Sequence, residues 1–70
     1  MSDAIKELKA WRGRLVKLPN GGARVVVGFD KGGAFVGDGL VIRARFADGG
    51  SAESALQAAG FSRRGEYWKA

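Results

Sequence analysis

The sequence contains no cysteine, no histidine and a single proline. Without cysteine there is no disulfide, and without either residue the usual ligands of zinc, haem and iron–sulfur sites are missing. Nucleophilic catalysis by a Cys–His or Ser–His pair is excluded on the same ground. The lack of thiols fits a reducing compartment. No apolar run approaches the roughly 18 residues of a membrane span. Residues 1–7 carry Asp3, Lys6 and Glu7 where a secretory signal needs an uninterrupted apolar stretch. The expectation is a soluble, unexported chain. Its 70 residues leave room for one domain, residues 1–70. A chain of that size buries only about 60% of the surface it exposes when unfolded, so its core is thin.

What the sequence does have is positive charge and glycine. Twelve Lys and Arg stand against seven Asp and Glu, a formal net charge of +5. Small basic domains often meet nucleic acid or acidic proteins, although a net charge of this size also serves solubility alone. Apolar residues make up 46% and charged residues 27%, the composition of a folded domain and not of a disordered tail. The 12 glycines gather at turns.

Residues 2–12 read as a helix with Ala4, Ile5, Leu8 and Trp11 on one face, capped by Ser2 or Asp3 and stopped by Gly13. Residues 14–18 and 23–29 read as a hairpin around Pro19-Asn20-Gly21-Gly22. A second hairpin, residues 34–36 and 40–46, turns at Gly37-Asp38-Gly39. In its last strand Leu40, Ile42, Ala44 and Phe46 alternate with Val41, Arg43 and Arg45, which predicts one packed face and one basic face. Ser51 is the expected cap of a helix over residues 52–59, ended by a left-handed Gly60. Residues 61–70 read as a short strand or hairpin, with the strand over residues 66–69. The expected architecture is α+β: an antiparallel sheet of four to five strands, with the N-terminal helix and the second helix packed on one face. Leu8, Trp11, Val25, Val27, Ile42, Phe46 and Leu56 are the expected core, and Trp68 is expected to pack the final strand onto it.

Neither a catalytic site nor a cofactor or metal site is expected. Gly28-Phe29-Asp30-Lys31-Gly32-Gly33 is followed by Ala34, not by the Lys-Ser/Thr pair of a phosphate loop. Asp30, Asp38 and Asp48 fall in turns beside glycine, where Asp is ordinary turn chemistry. The arginines are the better lead. Arg24, Arg43 and Arg45 are predicted on the sheet face opposite the apolar set, and Arg63 and Arg64 lie close in sequence to Tyr67 and Trp68. Arg with aromatics is what binders of single-stranded nucleic acid use, and it is equally the make-up of protein–protein hot spots. The sequence leaves both open.

The stretch from Ala55 to Gly60-Phe61 and on to Tyr67-Trp68-Lys69-Ala70 resembles an element of small phage- and plasmid-borne proteins, the antirestriction- and primase-associated domains. There a helix ending Leu-x-x-x-Gly-Phe leads into a basic strand-turn-strand ending in Trp. Leu56, Gly60, Phe61, Trp68 and Ala70 match, and Ser62-Arg63 stands where that family has Arg-Trp. In profile, as one small cysteine-free domain without catalytic residues, the chain also resembles anti-CRISPR proteins. The resemblance implies a monomeric inhibitor in the cytoplasm of a bacterial host. It would bind the nucleoprotein effector of a host defence system and block its access to nucleic acid, without a small-molecule substrate or membrane. The alternative is direct nucleic-acid binding through the arginine-rich sheet face. The expected contact residues are Arg24, Arg43, Arg45, Arg63, Arg64 and Tyr67.

Overall fold

A computed structural model of the chain describes residues 3–19, 24–38 and 41–70. It is α+β, with helices α1 (Asp3–Leu15) and α2 (Gly49–Ala58) and strands β1 (Val26–Asp30), β2 (Gly33–Gly37), β3 (Ile42–Phe46), β4 (Ser62–Arg64) and β5 (Tyr67–Lys69). The strands form two antiparallel sheets, in orders β1-β2-β3 and β4-β5, and not one sheet of four to five. Among the described residues one antiparallel bridge joins the two. Val25 N–H donates to Trp68 O at 2.9 Å and Trp68 N–H to Val25 O at 2.7 Å.

The first helix is longer than the glycine signal suggests. Leu8, Trp11 and Leu15 are all buried, and their spacing of three and four keeps them on one face. Burying Leu15 continues that stripe past Gly13, whose own missing side chain would point into open space. The helix therefore runs through Gly13, and at its end Lys17 N–H and Leu18 N–H donate to Arg14 O and Leu15 O in tighter turns. The strand expected over residues 14–18 is consequently helix end and turn. Asn20, Gly21 and Gly22 of the expected turn, and Ala23 of the strand expected after it, lie outside the described residues.

The second helix starts earlier than expected. Asp48, not Ser51, is its cap, and the Asp48 carboxylate accepts from Ser51 N–H at 2.7 Å. Its C-terminus matches the sequence reading. Gly60 has φ +97°, Gly60 N–H donates to Gln57 O, and Phe61 N–H reaches back to Leu56 O. These two bonds close a Schellman motif and turn the chain so that Phe61 packs on Trp11, their ring centroids 5.8 Å apart.

Both helices cover one side of the three-stranded sheet, since α2 contacts all its strands and α1 contacts α2 and β3. Between them lies one core of Leu8, Trp11, Leu15, Val25, Ala34, Val36, Ala52, Ala55, Leu56, Ala59, Phe61 and Trp68. The small face of α2, Ala52, Ala55 and Ala59, lets that helix sit close to the sheet. Trp68 is only 4% exposed, so the short hairpin is anchored in the core by one large aromatic. Val27 and Phe46 are half-buried against this core. Ile42 is not part of it and stands 44% exposed. The reason is a change of register, because Val36 pairs with Ala44 but Gly37 pairs with Ile42. Arg43 is the extra residue of a β-bulge, and a bulge reverses the alternation of everything beyond it.

Candidate binding surface

The bulge also separates the two arginines of β3. The sequence alternation placed Arg43 and Arg45 together on the open face. Arg45 is indeed between Ala44 and Phe46, which pack on the core, so it points away from the helices. Arg43 is turned the other way, and its guanidinium lies 5.5 Å from the centroid of the buried Trp11 ring. Its Nε is buried without a hydrogen-bond partner among the described residues. Arg43 therefore covers an edge of the core.

Arg45 makes a two-toothed ion pair with Asp30. Its two terminal nitrogens donate to the carboxylate oxygens at 2.8 and 3.0 Å. Asp30 also accepts from Gly32 N–H at 2.8 Å. The Arg45 hydrogen bonds, followed by the Gly32 amide, hold the Asp30 carboxyl below its ordinary value, and Asp30 in turn raises Arg45. The open face of the sheet is thus neutralised where the Arg45 side chain of β3 reaches past β2 to Asp30 at the end of β1. Beside that pair Phe35 lies over Gly28, where a Cβ would come within 2.3 Å of the ring.

Of the other arginines expected as contacts, Arg63 and Arg64 lie on the hairpin and Arg24 lies beside it. Register pairs Ser62 with Lys69, Arg63 with Trp68, and Arg64 with Tyr67. Trp68 faces the core, and residues directly opposite one another share a face. Arg64, Tyr67, Ser62 and Lys69 therefore stand on the outward side. Val25 is buried next to Trp68, so its neighbour Arg24 also projects outward, and the Arg24 guanidinium sits 4.8 Å above the Tyr67 ring centroid. Arg24, Tyr67 and Arg64 come together here as one cluster. Arg63 does not join them: its side chain bonds Gly65 O at 3.1 Å and pairs with Glu53 at 3.3 Å. Lys69 is the member that the sequence reading missed, although its two-residue spacing from Tyr67 was the available signal.

Among the described residues the salt bridges are Arg45–Asp30 and Arg63–Glu53, so none involves Arg24, Arg64 or Lys69. Every Asp and Glu of the sequence lies among those residues. The cluster is thus a cationic patch around one aromatic ring.

The aspartates have separate jobs. Asp30 holds Arg45, Asp38 accepts from Val41 N–H at 2.8 Å, and Asp48 caps α2. The Ser51 amide, then the Ser51 hydroxyl, keep the Asp48 carboxyl below its ordinary value. No group of three potential metal ligands occurs among the described residues, and no helix there is long and apolar enough to cross a membrane. An open groove of about 780 Å³ runs between α1 and α2 over Phe46, lined by Ile5, Ser54 and Ala58 among others. Asp48, its titratable lining residue, is already engaged as the cap.

Comparison with protein families, characterised proteins and solved structures finds no match to this chain.

Proposed function

We propose that the protein is a non-enzymatic binding protein whose contact surface is the outward face of the β4–β5 hairpin. The observation that carries this reading is the grouping of Arg24, Tyr67 and Arg64, with Lys69, on a surface where no carboxylate neutralises them. Tyr and Arg are the residues that dominate binding hot spots, and unneutralised cations steer association with an acidic partner.

In the form that the resemblance to anti-CRISPR proteins implies, the partner is the nucleoprotein effector of a bacterial defence system. The chain acts as a monomer in the host cytoplasm, needs no cofactor, and blocks the effector's access to nucleic acid. Arg43 and Arg45 are not part of this surface, because one covers Trp11 and the other is held by Asp30. The test is plasmid transformation into hosts carrying an active defence effector that targets the plasmid. Expression of the wild-type chain should raise transformation efficiency in at least one host. The Arg24→Glu/Arg64→Glu double variant, shown to be folded by its melt, should not. Equal protection by both proteins would remove the hairpin face from the reading, and no protection in any host would remove the inhibitor function.

A further inference from the structure

We infer that the element this face receives is single-stranded nucleic acid, with a base stacked at Tyr67 and consecutive phosphates held by Arg24, Arg64 and Lys69. This deepens the reading above and rests on its premise that the hairpin face is the contact surface.

The argument begins with backbone direction. Trp68 N–H and C=O both bond to Val25, so they point away from β4. The Arg63–Trp68 pair is therefore the non-hydrogen-bonded pair of the β4–β5 ladder, and the pairs on either side carry its bonds. The outer edge of β4 then exposes the N–H and C=O of Arg63 alone. An extended peptide adding to that edge would find one residue's worth of backbone hydrogen bonds, too few for strand addition. What the hairpin offers is its outward face.

That face has the two parts a single strand needs. Cations track a phosphodiester backbone, and an aromatic ring accepts a base regardless of its identity. Arg24 and Arg64 flank Tyr67, the first above the ring at 4.8 Å and the second directly across the ladder. Lys69 extends the cation row by one step along β5. A duplex would present phosphates but keep its bases stacked inside, leaving Tyr67 unused. The strands here are three residues long, so the face fits a few nucleotides and not a groove of a double helix.

The test is fluorescence anisotropy with a labelled 12-nucleotide oligo-dT, its oligo-rU counterpart, a 12-base-pair duplex and a 12-residue poly-glutamate peptide. Three phosphate contacts on a single strand predict a log–log salt slope near −2, so raising salt from about 50 to 200 mM should weaken oligonucleotide binding roughly 20-fold. In the Arg24→Gln/Arg64→Gln variant one contact remains, and the same salt change should cost only about threefold. Tyr67→Leu should lose about tenfold in affinity and Tyr67→Phe nearly none, since the ring and not the hydroxyl does the stacking. Both salt series need no core substitution, so they stand even if Tyr67→Leu melts early. Binding of the duplex or of poly-glutamate as tight as that of the oligonucleotides would overturn the inference. So would a wild-type salt slope shallower than about −1, or equal losses in Tyr67→Phe and Tyr67→Leu. Protection in the transformation assay without oligonucleotide binding would refute this inference alone. Oligonucleotide binding without protection in any host would instead refute the inhibitor reading and leave this one standing.

Discussion

The open face of the three-stranded sheet and the outward face of the hairpin leave their arginines in different states. In the three-stranded sheet, Arg43 lies against Trp11 and Arg45 is gripped by Asp30. On the outward face of the C-terminal hairpin, Arg64 and the neighbouring Arg24 stand around Tyr67 without a salt bridge among the described residues, while the hairpin's other arginine, Arg63, pairs with Glu53. Cations are present in both regions, but around Tyr67 no ion pair cancels them among the described residues. An exposed ion pair contributes little to stability, typically under about 1 kcal/mol, yet it cancels the field that an arginine would otherwise project. Where charge is neutralised, and not only how much there is, sets the field that a surface projects.

The comparison breaks first if the hairpin is a loose appendage. Trp68 joins it to the core and to Val25, so Trp68→Ala should cost roughly 3–5 kcal/mol, a large share of a small domain's stability. Chemical denaturation should then give one cooperative transition at much lower denaturant. A variant melting like wild type would mean that hairpin and sheet are separate units.

The bulge of β3 is tested by two alanines. Phe46 is packed against the core while Ile42 is 44% exposed. Phe46→Ala should cost on the order of 2 kcal/mol, less than a fully buried phenylalanine would. Ile42→Ala should stay within about 0.5 kcal/mol. A larger loss at Ile42 than at Phe46 would restore the unbroken alternation and put Arg43 back beside Arg45.

The turn from α2 into the hairpin depends on Gly60, at φ +97° with Arg12 Nε 3.2 Å from where its Cβ would be. Arg12 Nε also donates to Gly60 O at 2.9 Å. Gly60→Val should destabilise by about 1–2 kcal/mol from left-handed strain, seen as a lower midpoint in thermal unfolding. An unchanged midpoint would mean that the chain leaves α2 in an ordinary helical conformation.

The smallest effect separates the two sets of arginines by pH. Arg45 and the Gly32 amide lower Asp30, so Asp30 adds stability above the ordinary Asp value of about 3.9. That contribution disappears as pH falls through the lower folded value. Asp48, also lowered, acts in the same direction. Asp30→Asn should therefore flatten part of the acid limb of the melting temperature, leaving the part that belongs to Asp48. Arg24→Gln/Arg64→Gln should leave the limb as it is, because those arginines hold no carboxylate. An acid limb unchanged in Asp30→Asn would show that the Arg45 pair is not formed in solution.

The helical stripe of Leu8 and Trp11, the Ala-rich face of α2, the left-handed Gly60 and the closeness of Arg64 to Tyr67 were all legible, because each depends on neighbours a few positions away. The overrun of α1 past Gly13 was not, since it reflects what Leu15 gains by burial beneath the rest of the fold. Local alternation set Arg43 and Arg45 side by side. Pairing of β3 with β2 then inserted one residue and sent them to opposite faces, and periodicity within a strand carries no information about register with another. For the same reason the one bridge from Val25 to Trp68 lay beyond the sequence. Sequence alone determined that the chain is basic, free of thiol and imidazole, and built of short α and β elements, because these follow from composition and local spacing. Tertiary structure alone decided which cations stay free, because an arginine's charge is cancelled or left open by carboxylates that the fold brings to it from elsewhere in the chain.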